Sequence, residues 1–223
     1  MQQQCCPLEQ QVLDGCRRLA AKGILNSVCD NISIRIPGTA QMIIALGVEN
    51  WRNLDPADIG TKPFMSRDAV AGLHGSIYLA RPDVGAIAVS SPTSVRLLAI
   101  HGRILPSIFD EQVRHLGRPA TVPLDEENFS GEQIRRALSR GANAILYGDR
   151  LLSLGMTCER LLLNTERFEK CAQAYVIAKA CGFHMRTIPP WVRLVANHRL
   201  QKEQRNASAQ YGEGRYPEAP SGY

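Results

Sequence analysis

Apolar residues recur at Leu8, Val12, Cys16 and Leu19, a helical spacing, with Pro7 at the first turn and Gly23 at the end. Asn31–Ile36 then alternates with period two, the signature of a half-buried strand, and Pro37-Gly38 leads to a second strand at Met42–Ile44. The spacing predicts a polar loop from Asn53 to Gly60. It also predicts a helix from about Ser66 to Arg81, with Ser66 as N-cap and Val70, Leu73 and Ile77 facing inward. Gly85–Val89 reads as a fully apolar strand, followed by a helix ending near His101. Short helices are expected at Ile108–Leu116 and Gly131–Ser139, and strands at Ala144–Leu146 and Leu151–Leu154. The stripe Leu161, Phe168, Cys171, Tyr175, Ala178 marks a long helix that Gly182 stops.

Strands interleaved with helices imply a layered α/β domain, and the short hairpin spacings make its sheet largely antiparallel. The expected domain covers residues 1–190. Residues 191–223 form a C-terminal arm, basic at first. From Asn206 onward the arm is poor in aliphatics, and the expectation is disorder or packing on a neighbouring subunit.

At 223 residues, the chain is long enough for one well-buried core. Its seven cysteines are odd in number and include no C-x-x-C pair, which argues against a disulfide framework or a zinc site. A net charge of +5, spread along the chain without an aromatic-rich basic face, argues against nucleic acid as a partner. No apolar run approaches the roughly 18 residues of a membrane span. No basic start precedes an apolar stretch, so the cytoplasm is the expected location.

Several segments, in order, resemble the class II aldolase/adducin family. Cys16–Gly23 is similar to its opening helix, and Cys29-Asp30-Asn31-Ile32-Ser33-Ile34-Arg35 to its S-G-N-I-S-x-R segment. Leu54–Ile59 is similar to L-T-P-E-D-L, and His74–Val84 to H-x-x-I-Y-x-x-R-P-D-V. Leu154-Gly155 before the long helix is similar to the closing segment. The resemblance spans about residues 8–185. It implies an α/β/α layered class II aldolase-like domain with a central, largely antiparallel sheet.

In the family's metal-dependent enzymes, three histidines hold a divalent ion and a glutamate moves protons. The resemblance puts those positions at Val89, Ser91, Asp149 and Val70. A catalytic site of this kind needs about three N, S or O donors in fixed geometry, and valine offers none. No metal or other cofactor is therefore expected. The phosphate-binding turn T-P-S-G becomes Ile44-Ala45-Leu46-Gly47, and S-S-E becomes Asp68-Ala69-Val70, whose carboxylate would repel a phosphate. Asn31, Ser33 and Gly47 are what remains for binding an anion.

His74 is either a general acid/base or a histidine hydrogen-bonded within the core, and the second reading carries more weight. Asp149 reads equally as a proton acceptor or a turn residue. Ser90 and Ser91 bind substrate oxygen or cap the following helix. Glu111 and His115 share a helix face, with Arg114 placed to take a substrate carboxylate; the simpler reading is a solvated face. Cys29 has no basic partner in view to activate it.

The expectation is a metal-independent lyase-type enzyme, catalysing C–C cleavage, decarboxylation, dehydration or cyclisation on a small polar or carboxylated molecule. His74, Asp149 and His115 would carry the chemistry. The alternative is an adducin-like pseudoenzyme that binds a ligand or partner; a metal enzyme with relocated ligands, such as His115 and Asp149, carries less weight. By resemblance the chain is a homo-oligomer, a tetramer.

Overall fold

The computed structural model describes residues 7–100, 104–118, 120–122, 136–138 and 141–217. In chain order the elements are α1 (Pro7–Ala21), β1 (Asn31–Arg35), β2 (Gln41–Leu46), β3 (Ile59–Pro63), α2 (Ala69–Ala80) and β4 (Ala86–Ser90). Then come α3 (Thr93–Ile100), α4 (Asp110–Leu116), β5 (Ala120–Val122), β6 (Ala144–Tyr147), β7 (Arg150–Gly155), α5 (Cys158–Ala180) and α6 (Pro190–Gly212). The strands form a seven-stranded sheet in the order β3-β2-β1-β4-β7-β6-β5. Every pairing is antiparallel except β5 with β6.

Alternation sorts the strand residues to two faces. Ile32, Ile34, Ala86 and Ala88 pack on one face against α1 and the first turns of α5. Leu146 and Leu151 extend that face beneath α3, α4 and the later turns of α5. Ile44, Ile87, Val89, Ile145 and Leu152 point the other way, against Ile77 and Tyr78 of α2. The result is the expected three-layer α/β/α arrangement.

Three elements differ from the sequence reading. Helix α2 starts at Ala69, capped by Asp68, whose side chain accepts from Ala71 N; Ser66 lies outside it. The loop read from Asn53 to Gly60 gives way at Ile59 to the edge strand β3, which runs on to Pro63. Its residues are mostly exposed and so show no apolar alternation, and Pro63 is tolerated at an edge. The three-residue β5 is too short to leave a pattern. The helix expected at Gly131–Ser139 lies outside the described residues except for 136–138.

The C-terminal segment also departs from its composition. Helix α6 runs to Gly212 and packs on its own chain, burying Leu200, Gln204, Ala207 and Tyr211. The Tyr211 hydroxyl donates to Met156 O at 2.9 Å, and Gln204 Nε2 donates to Gly141 O at 2.9 Å. The Tyr216 hydroxyl accepts from Cys158 N, a free amide at the start of α5. Residues 206–217 therefore have a partner within the chain. Four anchors spaced along one helical stripe compensate for the few aliphatic residues.

Gly85 is where α6 meets the sheet. A Cβ there would lie 1.8 Å from Tyr211 Oη and 2.4 Å from Met156 O. Gly85→Ala is expected to destabilise the fold by about 3 kcal/mol through this overlap, and Tyr211→Phe by about 1 kcal/mol through the lost hydrogen bond. Urea denaturation of both variants checks this; a G85A chain as stable as the parent would mean that α6 does not pack here.

Candidate functional site

The strand register gathers one end of the sheet. Asn31 opens β1 and pairs with Leu46 at the end of β2 and with Val89 of β4. Ser90 pairs with Leu151, at the start of β7. The β6–β7 turn carrying Asp149 emerges beside it. Asn31, Gly47, Ser90, Ser91 and Asp149 thus share this end, and α2 brings His74 against it from one face.

His74 is fully buried between two side chains of β1. Its Nδ1 lies 2.7 Å from Ser33 Oγ and its Nε2 lies 2.6 Å from Asn31 Oδ1. Asn31 spends its Nδ2 on Cys29 O at 3.1 Å, so its Oδ1 is an acceptor. Nε2 of His74 must then carry the proton, and Nδ1 must accept from Ser33. Ser33 Oγ in turn lies 2.8 Å from the Tyr78 hydroxyl. Burial raises the Tyr78 pKa, so the phenol stays protonated and donates to Ser33. Every donor in the chain Tyr78–Ser33–His74–Asn31–Cys29 O therefore faces an acceptor, with a neutral imidazole at the centre. Burial pushes the His74 pKa down to about 3, consistent with that state. This is the core-histidine reading of His74. It also leaves Asn31 and Ser33 committed within the fold, 3% and 0% exposed, rather than free to bind an anion.

Asp30 forms a second closed unit beside the first. It is 0% exposed, and its Oδ2 accepts from the amides of Asn26 at 2.8 Å and Ser27 at 2.9 Å. Its Oδ1 accepts from Ser91 Oγ at 2.7 Å. The Ser91 hydroxyl is therefore spent on Asp30 rather than on capping α3. Ser90 Oγ is buried with no partner among the described residues. Asp68 fills the first turn of α2 in the same way. Two backbone positions suited to an external anion are thus occupied by carboxylates of the chain itself. Gly47 keeps a φ of +69° in the turn after β2, with open space around its missing Cβ.

Asp30 was not singled out by the sequence reading, although it stands at the glycine of the S-G-N motif. Tyr78 was missed too, although its spacing of four residues from His74 places both on one helix face.

These residues do not suit a divalent ion. Val89 is 2% exposed and packs with Ile87 and Leu152. Ser91, which donates its hydrogen to Asp30, offers only a neutral hydroxyl oxygen, a poor ligand. Asp149 lies on an exposed turn, with its side chain 54% exposed and 3.9 Å from Arg150. Among the described residues, no three His, Cys, Asp or Glu side chains come together as a metal-binding group.

His115, Arg114 and Glu111 form a separate cluster on α4. Asn143, which precedes β6, donates from its side chain to His115 O at 3.0 Å and from its backbone to Leu116 O at 2.9 Å. Asp149 follows the other end of β6, so the two lie at opposite ends of that strand. His115 and Asp149 cannot serve as relocated ligands of one ion. Arg114 pairs with Glu203 of α6, and Glu111 faces Arg167 of α5 at 3.8 Å.

The sequence matches the profile described as "Class II Aldolase and Adducin N-terminal domain" over residues 10–176. The chain belongs to that family. Solved structures similar to it include an L-fuculose 1-phosphate aldolase from Glaciozyma antarctica, 18% identical, covering 95% of this chain and 92% of that one, with a TM-score of 0.72. An aldolase II superfamily protein from Pseudomonas syringae is 15% identical, with 94% of each chain covered and a TM-score of 0.72. A sugar-phosphate aldolase from Thermotoga maritima is 17% identical, covering 79% and 97%, with a TM-score of 0.65. No curated protein sequence gives a significant match.

The buried imidazoles make stability depend on pH. His74, and His115 at 9% exposure, each have a folded pKa near 3 against an ordinary 6.5. The unfolded chain therefore binds more protons between these values. Stability is complete above pH 6.5 and declines as pH falls towards 3. The expected loss at about pH 5 is up to about 2 kcal/mol for His74 and less for the partly solvated His115. Urea midpoints at about pH 7.5 and 5 measure it; identical midpoints would contradict the neutral, buried state.

Proposed function

We propose that this chain is a class II aldolase-fold binding protein that does not perform metal-assisted aldol chemistry, the adducin-like reading of the sequence. The supporting observation is the closed hydrogen-bond chain Tyr78–Ser33–His74–Asn31, with the Asp30–Ser91 pair next to it. A general base must reach a substrate proton and carry a pKa near the working pH. His74 does neither. A Lewis acid needs donors; Val89 supplies none, and the neutral hydroxyl of Ser91 is a poor one.

A second reading, the metal-independent lyase, is favoured by one observation: Asp149 stays exposed at the same sheet end, beside Arg150. In that reading the aspartate is the proton acceptor for a small polar or carboxylated substrate.

The test is to incubate the purified chain with zinc, manganese or cobalt, desalt it and analyse its metal content, then assay it against sugar phosphates and hydroxy acids. The expected result is well under one metal per chain and no turnover. Stoichiometric metal would overturn the proposal. Turnover that survives chelator and disappears in Asp149→Asn would replace it with the lyase reading.

The chain is further proposed to act as a homo-oligomer. Phe183, Trp191, Leu194 and Val195 are 51–72% exposed along the start of α6 and the segment before it. Large apolar residues grouped in this way mark contact surfaces. Leu194→Asp is expected to shift the particle to a smaller mass by light scattering; a parent chain that is already monomeric would remove the proposal.

A further inference from the structure

At the junction of α4, α5 and α6, one guanidinium meets the His115 imidazole while two others, Arg114 and Arg167, each face a carboxylate. Arg160 Nη1 donates to His115 Nδ1 at 2.6 Å. Burial first, and then the positive charges of Arg167, Arg160 and Arg114, lower the His115 pKa and keep the ring neutral. Arg160 and Arg167 lie seven residues apart on α5, on one helix face, and Arg114 faces them from α4.

The surrounding carboxylates do not balance this group. Glu203 attracts Arg160 but is bound through two contacts to Arg114. Among the described residues Glu111 reaches only Arg167, at 3.8 Å, with its side chain 53% exposed. Among the described residues Arg160 forms no ion pair, and its one side-chain partner is the uncharged His115. Among the described residues the two carboxylates that form ion pairs here take Arg114 and Arg167, which leaves the half-buried Arg160 without a paired counter-charge. A partly buried cation without a counter-charge is costly, and a guanidinium fork matches the two oxygens of a carboxylate or phosphate group.

Space lies alongside. A cleft of about 190 Å³ is lined by Phe109, Asp110, Glu111, Arg167, Lys170 and Cys171, so Arg167 is shared by the cleft and the cluster. The site is distinct from the sheet end that holds Asp30 and His74. Arg160 belongs to the first turn of α5, which follows Gly155, and Gly155 pairs with Ala86 at the opposite end of β4 from Ser90.

We infer that the face formed by Arg160, His115 and Arg114 is a binding site for a small oxyanion, the carboxylate or phosphate group of a small molecule. Arg160 supplies the principal contact. His115 positions it by accepting one of its hydrogens, and Glu203 fixes Arg114 at the edge.

The experiment is calorimetric titration of the full-length chain with inorganic phosphate and, separately, with malonate. Saturable binding of either at one site per chain is expected. Arg160→Met should weaken it about tenfold to a hundredfold, the value of a charge-assisted contact. Arg17→Met, an exposed arginine on α1, should leave it unchanged. If Arg160→Met fails to fold, Arg160→Lys, which keeps the charge and loses the fork, should still weaken binding. The imidazole signals of His115 in heteronuclear NMR should move with phosphate, a local response that a structural role for Arg160 would not produce. No saturable binding by the parent chain, equal weakening by Arg17→Met, or still His115 signals would each overturn the inference.

Discussion

A neutral imidazole held between Asn31 and Ser33 is the interaction on which the candidate site depends. It fixes the tautomer of His74, the direction of the Ser33 hydroxyl and the role of Tyr78 as donor. It also ties α2 to β1 across the sheet face. An unsatisfied polar group at this depth costs about 1–3 kcal/mol, so each member constrains the next. A group held this firmly contributes to the fold and is poorly placed to exchange protons with a ligand. The family's sheet end is retained here as a set of polar residues that, Ser90 excepted, satisfy one another.

The same economy extends around this end of the molecule. Asp30 uses two loop amides and a serine hydroxyl, and Asp68 uses the first turn of α2. Arg35 carries the network to the opposite end of the sheet. Its guanidinium donates to Pro82 O and Tyr78 O and lies 5.0–5.5 Å from the ring centres of Phe64, Tyr78 and Tyr211. Tyr211 belongs to α6, so one buried cation joins β1, α2 and the C-terminal helix. Such contacts gain strength as water is excluded. They explain how a helix with few aliphatic residues holds its place on the chain.

Charge on α4 follows a different logic. A sequence reading can place Glu111 and His115 on one helix face, but it cannot supply the neighbours. Arg160 and Arg167 arrive from α5, more than forty residues away, and Glu203 from α6. The histidine that looked suited to a carboxylate partner instead accepts a hydrogen from an arginine.

The sequence by itself determined the layered fold, because apolar period and glycine placement are local and repeat along the chain. By resemblance alone it set the expectation that valine and serine stand where the family's enzymes hold metal ligands, an expectation about side-chain chemistry. It did not reveal β3, whose solvent-exposed edge leaves no apolar pattern, or the ordered path of residues 206–217. Only the tertiary structure decided that Asp30 meets Ser91, that His74 is sealed between Asn31 and Ser33, and that His115 and Asp149 lie apart. Each of these joins residues distant in sequence, and hydrogen-bond partnership depends on ångström-scale placement that periodicity does not encode.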